Sequence, residues 1–231
     1  MIKLHFHPTP NPFKIALYLE ETETPYEVIP VDTRKGDQHT AAYKHLNPNS
    51  KTPTLQDGGI TVFDSTAILL YLSEKIGQFL PPNTAKDRSE MLQWLMFIAT
   101  GIGPYCGQSV HFKHFAPEPK EYAVNRYDFE AWRHWNIIEE RLSQHKYMLG
   151  DTYGIVDIAL WPWARMIPRI LNDDAFKSLP NIKRFLDEVS ARPAAQRALA
   201  LQSQHEFKTT LDDDARKALF PSNERLKASG A

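Results

Sequence analysis

The 231-residue chain is 42% hydrophobic and 24% charged, the composition of a soluble globular protein with material for one large or two small cores. Its formal net charge of −1 gives no general attraction to nucleic acid or to an anionic membrane, and no apolar run is long enough to span a bilayer. A single cysteine, Cys106, rules out an intramolecular disulfide, and the opening MIKLHFHPTP lacks the apolar stretch of a secretory signal, so a cytoplasmic protein is expected.

Ile2, Leu4 and Phe6 alternate with Lys3, His5 and His7, the period-2 pattern of a strand. Phe13, Ala16, Leu17 and Glu20 then recur at helical spacing, predicting a helix over about 12–23. Pro8, Pro10 and Pro12 punctuate the junction; Asn11 is the expected N-cap and Pro12 the first helical residue. Thr9 and Asn11 thus project from a rigid strand-to-helix turn whose free N–H groups favour an anion such as a thiolate. Taken alone, the same two residues read more readily as ordinary helix caps.

Tyr26, Val28 and Val31 mark a second strand, completing a βαβ unit with a parallel pair. A polar stretch from Asp32 follows, with a short helical turn around Ala41–Leu46. Thr54-Leu55 and Ile60–Phe63 read as strands of a hairpin turned at Asp57-Gly58-Gly59, with Pro53 at the head of the first. Asp64-Ser65-Thr66 caps a helix carrying Ile68, Leu69, Leu72 and Ile76, closed by Gly77. The first eighty residues therefore predict β-α-β-α-β-β-α.

Pro81-Pro82-Asn83-Thr84 predicts a linker over 81–87, dividing residues 1–80 from an all-helical part over 88–205. Leu92, Leu95, Met96 and Ala99 share one helix face, running into Gly101-Ile102-Gly103-Pro104. A long amphipathic helix spans about Tyr122 to Leu142. Ile155–Trp163 is the most apolar run and the expected central helix, perturbed at Pro162, with its two tryptophans in the core. Pro180 opens a further helix. Residues 206–231 form a polar tail, expected to lie on the surface or fray, with Leu211, Leu219 and Phe220 as its only possible anchors.

The order of elements, with PTPNPFK, NPNSKTP and FDSTAILLYL, resembles the glutathione transferase superfamily, and in particular its bacterial Nu class of glutathione-dependent disulfide-bond oxidoreductases. The resemblance covers roughly Met1 to Leu201. It implies a thioredoxin-like first domain followed by an all-α domain, glutathione as co-substrate, and a homodimer. Asp64 and Ser65 would hold the γ-glutamyl end, since a carboxylate, a hydroxyl and a helix N-terminus suit a carboxylate beside an ammonium. Thr52, before Pro53, would offer its backbone to the cysteinyl unit. Gln38, Asn49 and Lys51 would meet the glycyl carboxylate, and Arg126 would reach the partner subunit's site. Gly154 stands where the family has a capping Ser or Thr three residues before Asp157, leaving that capping box incomplete.

Other classes activate the thiol with Tyr, Ser or Cys near the first turn, and none occurs from Met1 to Leu17. Thr9 and Asn11 remain as donors to a thiolate, so the resemblance implies a bound glutathione activated without a protein cysteine. Cys106 is read as an inert small hydrophobe. His111 and His114 lack companion ligands, and no metal is expected. Tyr105, His111, Phe112 and Phe115 are the expected lining of the second-substrate pocket. A conjugating transferase or hydroperoxide peroxidase would need the same glutathione site. A non-catalytic glutathione- or ligand-binding protein is the further alternative.

Overall fold

Every element of the first part forms in the expected order in the computed structural model, which describes residues 1–225. They are β1 (Ile2–Phe6), α1 (Pro10–Glu21), β2 (Tyr26–Pro30), α2 (Ala41–Leu46), β3 (Thr54–Asp57), β4 (Ile60–Phe63) and α3 (Ser65–Ile76). The strands lie in the order β2-β1-β3-β4, with β1 parallel to β2 and antiparallel to β3, and β3 antiparallel to β4. As an inner strand β1 is covered on both faces, so His5 is buried along with Ile2, Leu4 and Phe6. His5 compensates by placing Nε2 2.9 Å from Gln56 Oε1.

Helix α1 begins at Pro10, two residues before the expected start, with Thr9 as the extended N-cap residue. Proline is harmless anywhere in a first turn, where the N–H has no intrahelical partner, so Pro10 and Pro12 are both accommodated. Asn11 is consequently inside the helix rather than capping it. The helix is buried from Pro12 through Leu19, because α3 packs on one side and α7 and α10 on the other.

The second part is helical: α4 (Ala85–Phe97), α5 (Gly103–His114), α6 (Glu121–Gln144), α7 (Ile155–Ala164), α8 (Ile167–Ile170), α9 (Pro180–Ser190), α10 (Pro193–Gln204) and α11 (Asp213–Leu219). Helix α4 starts within the stretch expected as linker, capped by Thr84 Oγ1, which accepts from Asp87 N at 3.1 Å. Gly101-Ile102-Gly103-Pro104 does not end the helix. A π-helical turn, Ile98–Ile102, carries it into α5, as befits a Pro that removes one regular bond. Gly101 is required there: a Cβ would lie 2.6 Å from the buried ring of His134.

Helix α7 is buried along its whole length, Pro162 included. Asp157, also fully buried, accepts from Met148 N and Gly154 N, each at 2.9 Å. Gly154 cannot return a side-chain cap, but its lack of Cβ has a use. The Phe79 carbonyl accepts from Ile155 N at 3.0 Å, and a Cβ on Gly154 would sit 3.1 Å from that oxygen. The gap in the capping box is where the connection between the two parts docks.

The described tail lies on the surface, where it is held by specific bonds. Lys208 N donates to Asp32 Oδ2 at 2.6 Å, Arg34 Nη1 donates to Lys208 O at 3.0 Å, and α11 offers Ala218 O to Gln38 Nε2 at 3.1 Å. Phe207 packs edge-on to His7, and Phe220, an expected anchor, packs on His111 and Phe115. The described tail thus straps the loop after β2 to the end of α5. Residues 226–231 of the expected tail lie outside the described residues. No helix among the described residues is long and apolar enough to cross a membrane.

Candidate active site

The turn after β1 is tied by Thr9 N donating to His7 O at 2.7 Å, and the Thr9 side chain, though at the N-cap, makes no capping bond. It stays exposed, at the edge of a cavity of about 570 Å³ walled by His7, Pro8, Arg34 and the tail from Gln202 to Thr209. Its hydroxyl is therefore available to a ligand.

Asn11, two residues further along, faces a second cavity of about 320 Å³ between the two parts of the chain. There Trp163 Nε1 donates to Asn11 Oδ1 at 3.2 Å. An indole N–H is only a donor, so the Asn11 atom facing it must be the oxygen, and both amide hydrogens must point elsewhere. Asn11 Nδ2 is thereby fixed as a donor beside the positive end of α1. The small residues Gly103 and Gly107 of α5 form the opposite wall of the same cavity.

Asp64 and Ser65 stand at the N-terminus of α3, in this cavity with Asn11. Asp64 Oδ1 caps the helix, accepting from Thr66 N at 2.9 Å and Ala67 N at 3.1 Å, and its carboxylate is exposed. Ser65 is buried, and its Oγ accepts from Lys14 Nζ at 3.2 Å. Lys14 is 1% exposed; burial pulls its pKa down to about 8, opposed by the charge of Asp64.

Thr52 and Pro53 are joined by a cis peptide bond at the head of β3. The loop before them is braced from within: Asn47 Nδ2 donates to Lys51 O at 2.7 Å, and Tyr43 Oη donates to the same oxygen at 2.8 Å. Asn49 and Lys51 are exposed. Gln38 departs from expectation. It is buried under the tail, and its amide donates to Thr33 O and Ala218 O, each at 3.1 Å, so its donors are already spent. Arg126, on α6, pairs with Glu130 Oε1 at 2.7 Å within the same helix.

The aromatic group expected around a second substrate is divided. His111 and Phe115 face Phe220 of the tail, whereas Phe112 stacks on Tyr127 at 5.4 Å and Tyr105 lies 4.8 Å from the His134 ring, both against α6. Tyr105 and Phe112 are seven positions apart and so share a stripe of α5; His111 lies beside it, its ring edge-on to Phe112 at 5.2 Å, and Phe115 follows the end of the helix.

Cys106 is fully buried, and burial pushes its thiol up to about 12, outweighing a contact with Trp135. It has neither the exposure nor the thiolate character of a reactive cysteine. Among the described residues no group of three or more His, Cys, Asp or Glu could hold a metal ion. Four residues central to this geometry had no role assigned from sequence: Trp163 reads as core, Tyr43 as part of a short helical turn, and Lys14 and Asn47 only as letters of PTPNPFK and NPNSKTP. Only their neighbours in space reveal them.

The glutathione S-transferase N-terminal domain model matches residues 1–74, and the C-terminal domain model matches residues 94–193. The chain is 41% identical over 206 residues to the disulfide-bond oxidoreductase YfcG of Escherichia coli, covering 86% of this chain and 94% of that protein. It is 37% identical to the disulfide-bond oxidoreductase YghU of the same organism, covering 85% of this chain and 73% of that one. A glutathione transferase of Burkholderia graminis, solved with two glutathione molecules per subunit, superposes with a TM-score of 0.81 at 37% identity, covering 88% and 89% of the two chains. One from Pseudomonas putida, with one glutathione disulfide bound per subunit, gives 0.80 at 34% identity, covering 86% and 90%. With both domain models matched and these relatives aligned over most of its length, the chain belongs to the glutathione S-transferase family.

Proposed function

We propose that this protein reduces disulfides with glutathione, using the bound thiolate as nucleophile and no cysteine of its own. The observation that carries the reading is the Asn11 amide, turned by Trp163 so that its hydrogens are free at the N-terminus of α1, while the chain's single cysteine is buried. Thr9 and Asn11 would donate to the sulfur, lowering its pKa as donors and a helix N-terminus do for any anion. Asp64 and Ser65 would hold the γ-glutamyl end, Thr52 and Pro53 the cysteinyl backbone, and Asn49 and Lys51 the glycyl carboxylate.

The thiolate attacks one sulfur of the substrate disulfide, forming a glutathione mixed disulfide and expelling a thiolate that takes up a proton. A second glutathione thiolate attacks the glutathione sulfur of that mixed disulfide. Its products are glutathione disulfide and the second substrate thiol, so two glutathiones are oxidised per disulfide reduced. Support comes from the names of the Escherichia coli relatives and from the Burkholderia graminis structure, which holds two glutathiones in one subunit.

The test is turnover of hydroxyethyl disulfide by glutathione, coupled to NADPH oxidation through glutathione reductase, beside conjugation of chlorodinitrobenzene by the same preparation. Disulfide turnover well above conjugation is expected, and Cys106→Ser should retain it within about twofold. The reverse ranking would make the protein a conjugating transferase, and loss of activity in Cys106→Ser would overturn the cysteine-free mechanism. Binding of glutathione with neither activity would leave a ligand-binding protein.

The proposal extends to a cytoplasmic homodimer joined through α4 and α6, whose outer face exposes Met96 and Phe129. Arg126 on that helix would then be placed to reach across to the other subunit. Sedimentation velocity at micromolar concentration is the check on the dimer, and cell fractionation the check on location.

A further inference from the structure

Lys14 is difficult to account for in the ligand-free protein. Lysines are almost never fully buried unless paired, and an ammonium removed from water costs several kcal/mol without a counter-ion. Lys14 is 1% exposed, yet its only hydrogen-bond partner among the described residues is the neutral Ser65 hydroxyl, at 3.2 Å. No carboxylate among them pairs with it within 4.0 Å. An ammonium has three hydrogens to donate, so at least part of its capacity is unspent. It lines the same 320 Å³ cavity as the N-terminus of α3, whose dipole adds positive potential at that point.

The bond to Ser65 has a further effect. A hydroxyl that accepts from an ammonium must direct its own hydrogen to another acceptor, and Ser65 donates to none of the described residues. Lys14 therefore makes Ser65 a committed and polarised donor. The occupant that satisfies both is an anion with an oxygen at Ser65. Asp64 lies next to them with an exposed carboxylate, so the cavity presents a positive group and a negative group on either side of one donor. That is the complement of an amino-acid zwitterion. Of the two ends of glutathione only the γ-glutamyl end carries an ammonium beside its carboxylate.

We propose that Lys14 supplies the countercharge for the γ-glutamyl α-carboxylate, acting through Ser65, and so sets the preference for a ligand with that carboxylate intact. The inference rests on the glutathione reading above. Lys14 is a positioning residue in this role.

Calorimetric titration separates the possibilities, with glutathione and its decarboxylated analogue, 4-aminobutyryl-cysteinyl-glycine, as the two probes. The wild type should prefer glutathione by about tenfold or more, the scale of a hydrogen bond to a charged group. Lys14→Met should bind glutathione about tenfold more weakly, bind the analogue within about twofold of wild type, and keep or raise the Tm of the free protein. Lys14→Gln, which retains a donor without charge, should fall between the two and provides the answer if the methionine variant does not fold. Equal loss of both ligands, or glutathione affinity within threefold of wild type, would overturn the role of Lys14 and leave the glutathione reading intact. A wild type that bound neither probe would sink both.

Discussion

Asn11→Ala should lower the rate constant for disulfide reduction about 10²-fold, while the KM for glutathione changes by no more than a few-fold. The expectation comes from the donor geometry. The indole of Trp163 holds the amide oxygen at 3.2 Å, so the amide hydrogens are oriented before any ligand arrives. A preorganised donor of that kind loses little on meeting charge, and removing one typically costs about 10²- to 10³-fold in rate. The tripeptide would keep its proposed contacts at Thr52 and Ser65, so binding should suffer less than chemistry. A second readout is direct: thiolate absorbance near 240 nm in the binary complex should titrate at higher pH in the variant. Trp163→Phe should produce the same shift in weaker form, since the amide survives but is free to rotate. A loss of rate under threefold in Asn11→Ala would reduce Asn11 to a first-turn helix residue.

Asp157→Ala should lower stability by about 3 kcal/mol, or roughly 6–12 °C in Tm, measured by thermal unfolding of the ligand-free protein. Two buried backbone donors, Met148 N and Gly154 N, would lose their only recorded acceptor, and each orphaned group costs about 1–3 kcal/mol. The effect should be structural, with the affinity for glutathione little changed in the folded fraction. Burial raises the Asp157 carboxyl to about 7, against the backbone donors that favour its charged form. Because the folded pKa lies above the ordinary value of 3.8, the folded protein holds the extra proton between the two, and this contribution to stability falls as pH rises from about 4 to 7. Asp157→Asn cannot titrate. The stability gap between wild type and Asp157→Asn should therefore narrow as pH climbs towards 7 and stay constant above it; a widening gap would refute the assignment.

The parts of the fold that came directly from sequence are those written in a period. Ile2, Leu4 and Phe6 announce β1, Asp57-Gly58-Gly59 announces the hairpin, and Asp64 with Gly77 brackets α3. The errors lie where two local signals competed. Pro10 and Pro12 can both begin a helix, and the choice moved Asn11 from the cap into the first turn. Gly101 to Pro104 looks like a terminus because Gly and Pro usually are one, yet close approach of His134 and a π turn make it a passage between helices. The tail was unreadable for a different reason. It is held largely through its backbone carbonyls, by Arg34, Gln38 and His39, and any sequence can offer a carbonyl.

The site divides along the same line. Thr9, Asn11, Asp64 and Ser65 stand out in the sequence because caps and turns leave local marks. Lys14 and Trp163 were missed because what distinguishes them is a partner far along the chain: Ser65, 51 residues away, and Asn11, 152 residues away. A lysine on a helix is ordinarily wet, and a tryptophan in an apolar run is ordinarily core. The docking of α7 and α3 against α1 buries the lysine, and leaves the tryptophan in the core with its indole N–H turned to Asn11.

The burial of Cys106 bears on how long such an enzyme lasts. Reductases built on their own thiol risk that atom at every turnover, since an exposed thiolate also meets peroxide and alkylating reagents. Here the working sulfur would arrive with the co-substrate and depart in the product. Damage to it would be exported rather than accumulated, and the protein should withstand iodoacetamide or peroxide at levels that silence a cysteine-dependent counterpart. Its output under oxidative stress would then follow the supply of reduced glutathione, not the wear on the chain.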